Sequence, residues 1–130
     1  MPSIAQPNDN LSPSPTDAQA TTYDQLVPML EAAHHEMTEL SKKKQDGVVN
    51  SLKIKMLNRL LGELDKVIEK DPSHAFIDML DEETLPQNSD AVLILSQWRA
   101  ALKQYKDRHH GYDSSRGEHR WFTVEDPLGS

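Results

Sequence analysis

Six histidines and 21 carboxylates are the side chains with which this chain could do acid–base or metal chemistry. Three histidines follow an acid at one spacing: Glu31-x-x-His34, Asp71-x-x-His74 and Asp107-x-x-His110. On a helix, positions i and i+3 share a face, and di-metal bundle proteins pair two Glu-x-x-His motifs with inward glutamates from the facing helices. Here the central helix offers only Glu63, at the border of its apolar arc, and Asp71 precedes a proline, outside any helix. The motifs fail on placement, so no metal site and no cofactor are expected. His34 and His109 fall at the edges of apolar arcs and read as boundary residues. The pairs His34-His35 and His109-His110 could titrate near neutral pH, but nothing in the sequence selects that role.

Nucleophilic catalysis has no foothold either. There is no cysteine, hence no thiolate nucleophile, thiolate metal site or disulfide. There is no Gly-rich phosphate loop, no Gly-x-Ser-x-Gly and no His-Glu-x-x-His. Asp81-Glu82-Glu83 reads as a solvated acidic loop. No catalytic residue is assigned, and the expectation is a protein that is not an enzyme.

Two patches remain that could bind. Lys42, Lys43, Lys44, Lys53, Lys55 and Arg59 form a basic cluster in a chain of net charge −7, with Asp46 the only acid between Lys42 and Arg59. Such a cluster could meet nucleic-acid phosphates or an acidic protein surface; the plain alternative is helix-dipole compensation and a solvated face. Both tryptophans are distant in sequence, so base stacking beside the cluster is not indicated. The second patch is Arg120-Trp121-Phe122-Thr123-Val124, apolar and β-prone within a polar tail. Large aromatics are costly to leave in water. They either fold back on the protein or insert into a partner. Arg120, Trp121, Phe122 and Val124 are therefore candidate partner-binding residues. Leu93, which falls outside the apolar arc of its helix, is another.

The element that must position these patches is the stretch Asn50 to Lys70. At about 100° per residue, Leu52, Ile54, Met56, Leu57, Leu60, Leu61, Leu64, Val67 and Ile68 fill an arc of roughly 200°. A surface helix needs only slightly over about 100°. A helix this apolar must touch two neighbours, with up to a third of the arc left over for another contact. Asn50 is a good N-cap and Asp71-Pro72 a stop. A first helix is expected from Thr22, in a capping box with Gln25, to Lys43, with Tyr23, Leu26, Leu30, Ala33, Met37 and Leu40 as its seam. Pro28 either kinks its first turn or moves its start to about Val27. Gly47 is expected in the left-handed region of the following turn. Ser73 could cap a short helix, His74 to Leu80. Ser89-Asp90 signals a last helix reaching about His110, with Ala91, Ile94, Trp98, Ala101 and Tyr105 as its seam.

The expected fold is therefore all-α: a small antiparallel bundle of three main helices and one short one, over residues 22–111. A disordered, Pro-rich arm (1–21) would precede it and an irregular tail (112–130) would follow. The N-terminus lacks a basic segment followed by an apolar run, and no apolar stretch approaches a membrane span. A cytoplasmic protein with no membrane partner is the default. The expected function is a non-catalytic protein–protein interaction module, an adaptor, inhibitor or assembly subunit, acting through a helical surface and the aromatic tail. The alternative is a small nucleic-acid-associated regulator using Lys42 to Arg59. The partner would be another protein; a C2 homodimer is also plausible, because heptad seams suit a second copy.

Overall fold

The computed structural model describes residues 12–129. Its elements are α1 (Asp17–Lys43), α2 (Ser51–Ile68), a 3₁₀ helix (Pro72–Phe76), α3 (Asn88–His109), β1 (His110–Asp113) and β2 (Glu118–Trp121). The fold is mostly helical, as expected, but not purely so. β1 and β2 form an antiparallel hairpin in which His110 faces Trp121 and Asp113 faces Glu118. Its turn closes through Gly117 at φ 69°, a conformation that favours glycine. The expected irregular tail is thus in part a hairpin growing directly from the end of α3.

The first helix begins earlier than its sequence suggests. Thr16 is the N-cap: its side chain accepts from the Gln19 N–H, and the Gln19 side chain accepts from the Thr16 N–H. Thr22 and Gln25 lie inside the helix, which also runs unbroken through Pro28. Residues 1–11 of the expected arm lie outside the described residues. Residues 12–21, read as the rest of that arm, are packed: Ser12, Pro15, Ala20 are buried. Composition averaged over the whole stretch concealed this, because Pro13 and Pro15 already restrict the chain and lower the entropy cost of ordering it.

The helix directions also differ from the expected antiparallel bundle. Asn88 N–H donates to the Gly47 carbonyl at 2.7 Å, and Val49 N–H to the Pro86 carbonyl at 2.9 Å, so α2 and α3 start at the same end. At the opposite end Arg108, in the last turn of α3, holds Asp71, just beyond α2. α2 and α3 are therefore parallel, and α1 runs against both. The segment from Asp71 to Gln87 must return the length of α2. Eighteen helical residues span about 27 Å. A helix over residues 74–80 would recover only about 10 Å, whereas extended chain covers about 3.3 Å per residue. Hence only a short 3₁₀ turn forms, none of its residues is buried, and the chain from Ile77 runs extended.

This crossover is anchored to both helices it separates. The Asn58 side chain donates to the Leu80 carbonyl and accepts from the Leu80 N–H, and Trp98 Nε1 donates to the Asp78 carbonyl. Leu80 itself is buried. α1, not α2, is consequently the helix that closely approaches both others. The wide apolar arc of α2 is nonetheless covered over most of its width. Ile54, Leu57, Leu61, Leu64, Val67 and Ile68 join Leu30, Met37, Leu95, Trp98, Leu102 and Tyr105 in one core. Each such side chain contributes about 1.5–3 kcal/mol on burial. Gly47 does not adopt a positive φ. It is needed for space, since a Cβ there would lie 3.0 Å from Asn88 Nδ2 and 3.2 Å from the Lys44 carbonyl. No helix among the described residues is long and apolar enough to cross a membrane.

Candidate functional site

Three places gather polar or apolar groups that the fold itself does not obviously require. The first lies where α2 and α3 end. Ser12 Oγ is 2.6 Å from Asp71 Oδ1 and 2.8 Å from His109 Nε2, and all three residues are buried. Arg108 Nη1 donates to both Asp71 oxygens at 2.9 and 3.1 Å, and the Ser73 hydroxyl and N–H donate to Oδ2. Burial by itself would raise the Asp71 carboxyl, but the hydroxyls of Ser12 and Ser73, the Ser73 amide and Arg108 together hold it below its ordinary value. Burial lowers His109, with Arg108 adding to this and Asp71 opposing it.

Serine, histidine and aspartate together invite comparison with a hydrolase triad, and the order of the bonds decides against it. In a triad the histidine takes the serine proton while the carboxylate holds the other ring nitrogen. Here the carboxylate, which can only accept, takes the serine hydrogen. His109 must then donate its Nε2–H to the serine oxygen, and it has no lone pair to offer at that atom. The serine is a bridge, not a nucleophile. What the cluster does is tie residues 12–16 across the ends of α2 and α3. Sequence reading missed it because its members lie 59 and 97 positions apart, and no local spacing marks them.

The second place is the hairpin and tail. Trp121 folds back: its ring packs edge-on against Tyr23 at 4.8 Å and against His110 at 5.2 Å, and Nε1 donates to Asp24 at 3.1 Å. Tyr23 donates its hydroxyl to the Leu102 carbonyl, and burial, with Asp24 next, pushes it up to about 12. Arg120 is committed within the tail. Its Nε donates to Asp113 at 2.8 Å, Nη1 to the carbonyls of Trp121 and Asp126, and its guanidinium lies 4.8 Å from the Phe122 ring centre. Hydrogen bonds from Ser115 and then from Arg120 pull the Asp113 carboxyl down to about 2. Val124 leaves its side chain exposed while its N–H donates to the Pro15 carbonyl. The residues nominated as a partner anchor thus serve here as a clamp on the start of α1.

The third place is the lysine-bearing end and the face of α2 that the bundle leaves open. Leu52 is 66 % exposed, Met56 53 % and, on α1, Met29 57 %. Leu52 and Met56 line a groove between α1 and α2 of about 310 Å³, with Ala33, Met37 and Leu57 and with Glu36, Asn50 and Lys53. Lys55 and Arg59 line a different depression, beside Met79, Asp81 and Glu82 of the crossover. The structure therefore divides the basic cluster: Lys53 borders the apolar groove, Lys55 and Arg59 face the crossover, and Lys42, Lys43 and Lys44 lie at the end of α1. Lys42 pairs with Glu39; Lys43, Lys44, Lys53, Lys55 and Arg59 make no ion pair among the described residues. Leu93, on α3, is exposed.

The acid–histidine motifs are spent on other contacts. Glu31 pairs with Arg99 across to α3, His34 Nε2 meets Ser96 Oγ at 2.9 Å, and His74 pairs with Asp65 at 2.6 Å. Among the described residues no three or more His, Asp or Glu side chains are grouped so as to hold a metal ion. Set against protein-family models, curated proteins and solved structures, the chain matches none of them.

Proposed function

We propose that this chain is a non-catalytic protein-interaction module that acts by covering a partner's surface. One observation carries the reading: Leu52 and Met56 stand open beside the groove between α1 and α2, on the helix that supplies most of the core. Open apolar side chains lining a groove and rimmed by polar ones are the usual mark of a contact surface. The aromatic tail, clamped on α1, supports that surface from a distance and does not form it.

Affinity capture with the full chain tests this. The unaltered protein and Trp121→Phe should retain the same partner, while Leu52→Glu with Met56→Glu should release it without loss of folding. Retention by the groove variant would overturn the reading. The alternative, a nucleic-acid-associated regulator, draws on the unpaired Lys43, Lys44, Lys53, Lys55 and Arg59. Binding to phosphates would weaken steeply between low and moderate salt and would ignore the Leu52 and Met56 substitutions.

A further inference from the structure

We infer that the groove between α1 and α2 receives an acidic amphipathic helix from a partner protein. This deepens the interaction-module reading and rests on it. The groove's dimensions come first. Its α2 wall runs from Asn50 to Leu57, about 11 Å or two helical turns. Two turns suit a docked helix that presents apolar side chains at i, i+3 or i+4, and i+7. The floor is firm, for Met37 and Leu57 are buried, and the rim is adaptable, for Met56 is an unbranched thioether.

Charge then selects the occupant. On a wheel of about 100° per residue, Leu52 and Met56 lie about 40° apart. Lys53 flanks them on one side, at about 60° from Met56, and Arg59 on the other, at about 20° from Leu52, with Lys55 just beyond. The apolar stripe is thus bordered by cations on both sides, and none of these has an acidic partner among the described residues. Glu36 is the single acid lining the groove. These cations stand in a chain whose net charge is −7. A ligand with an apolar stripe between acidic flanks would satisfy the whole face, the charges setting orientation and encounter rate and the apolar centre setting the residence time.

Two other occupants fit less well. Nucleic acid would engage the cations and leave Leu52 and Met56 idle, since phosphate contacts need no apolar stripe. A second copy meeting this face by two-fold symmetry would set the same patch against itself. Lys53, Lys55 and Arg59 would then oppose their own equivalents, which is repulsive.

The test is selection of an unbiased library of random 16-residue peptides on the full-length protein, with counter-selection on Leu52→Glu/Met56→Glu. Leu52→Ser/Met56→Gln serves as a second counter-selection should the charged pair misfold. Peptides sharing apolar residues at helical spacing and a net negative charge are expected. The two groove variants should weaken them at least about tenfold, and Lys53→Glu/Arg59→Glu by a similar factor at low salt. Enriched peptides that are neutral or basic but still lost in the groove variants would overturn the acidic-helix proposal and leave the interaction reading standing. No peptide sensitive to the groove variants would overturn both. Self-association of the free protein that Leu52→Glu/Met56→Glu abolishes, seen by light scattering, would overturn the proposal in favour of a second copy.

Discussion

At the end where α2 and α3 finish, Ser12, Asp71, His109 and Arg108 exchange hydrogen bonds out of contact with most solvent, and Trp121 closes over Tyr23. At the end where they begin, Lys43, Lys44 and Lys53 face water without an acid to hold them, and Leu52 and Met56 stand open. Among the described residues, no buried side-chain nitrogen or oxygen lacks a partner. The polar interior at the first end is thus complete. A protein that satisfies its polar groups so fully in one region has no structural need to leave apolar groups unsatisfied in another. The first region stabilises; the second is available for binding.

The comparison breaks most visibly at the closed end. Asp71→Ala removes the acceptor for Ser12, Ser73 and Arg108 at once, and should cost about 3–5 kcal/mol in denaturant unfolding. Trp98→Ala opens the core and frees the Asp78 carbonyl of the crossover, with a cost also of about 3–5 kcal/mol. Trp121→Ala separates the two meanings of the tail. The clamp account expects a stability loss of about 1–3 kcal/mol, since Trp121 is only partly buried. An anchor working in trans would leave the unfolding midpoint unchanged.

Much of the bundle was legible because it rests on local signals. The period of Leu57, Leu61 and Leu64, the cap at Asn50 and the stop at Asp71-Pro72 each act within a few residues. What escaped is what depends on distance along the chain. Nothing near Ser12 announces Asp71, and nothing near Asn58 announces Leu80. The parallel arrangement of α2 and α3 follows from an extended crossover held by those remote bonds. The hairpin escaped for another reason. Its strands are four residues each, and a run such as Glu118-His119-Arg120-Trp121 is too short to display the alternation of a sheet. The open face was half visible: the wheel gave α2 a broader arc than its neighbours could cover, but did not say which residues would be left out.

A smaller effect sharpens the account of the latch. Burial keeps His109 lower in the folded protein than its ordinary 6.5, beside Asp71, Arg108 and the ring of Tyr105 at 4.7 Å. The unfolded chain therefore binds the proton first as pH falls. The stabilising contribution is complete above about 6.5 and declines as pH drops through and below that value. Asp71, lowered from 3.8, contributes in the same sense at more acid pH. Thermal unfolding of the unaltered protein should shift down between about pH 6.5 and 5, and His109→Gln, which keeps a donor toward Ser12, should flatten that slope. An equal slope in both proteins would assign the titration elsewhere.

The smallest effect on folding is expected at the open face, and there it is the absence of an effect that matters. Leu52→Glu and Met56→Glu should each change stability by no more than about 0.5 kcal/mol. The most direct test of the central claim is oxidation of the methionines by peroxide, followed by mass spectrometry of the native protein. Met56 is 53 % exposed and Met37, one layer beneath it in the same groove, 3 %. Met56 and Met29 should oxidise together and early, and Met37 last. Protection of Met56 to the level of Met37 in the isolated protein would mean that the face is already covered, and would contradict the account.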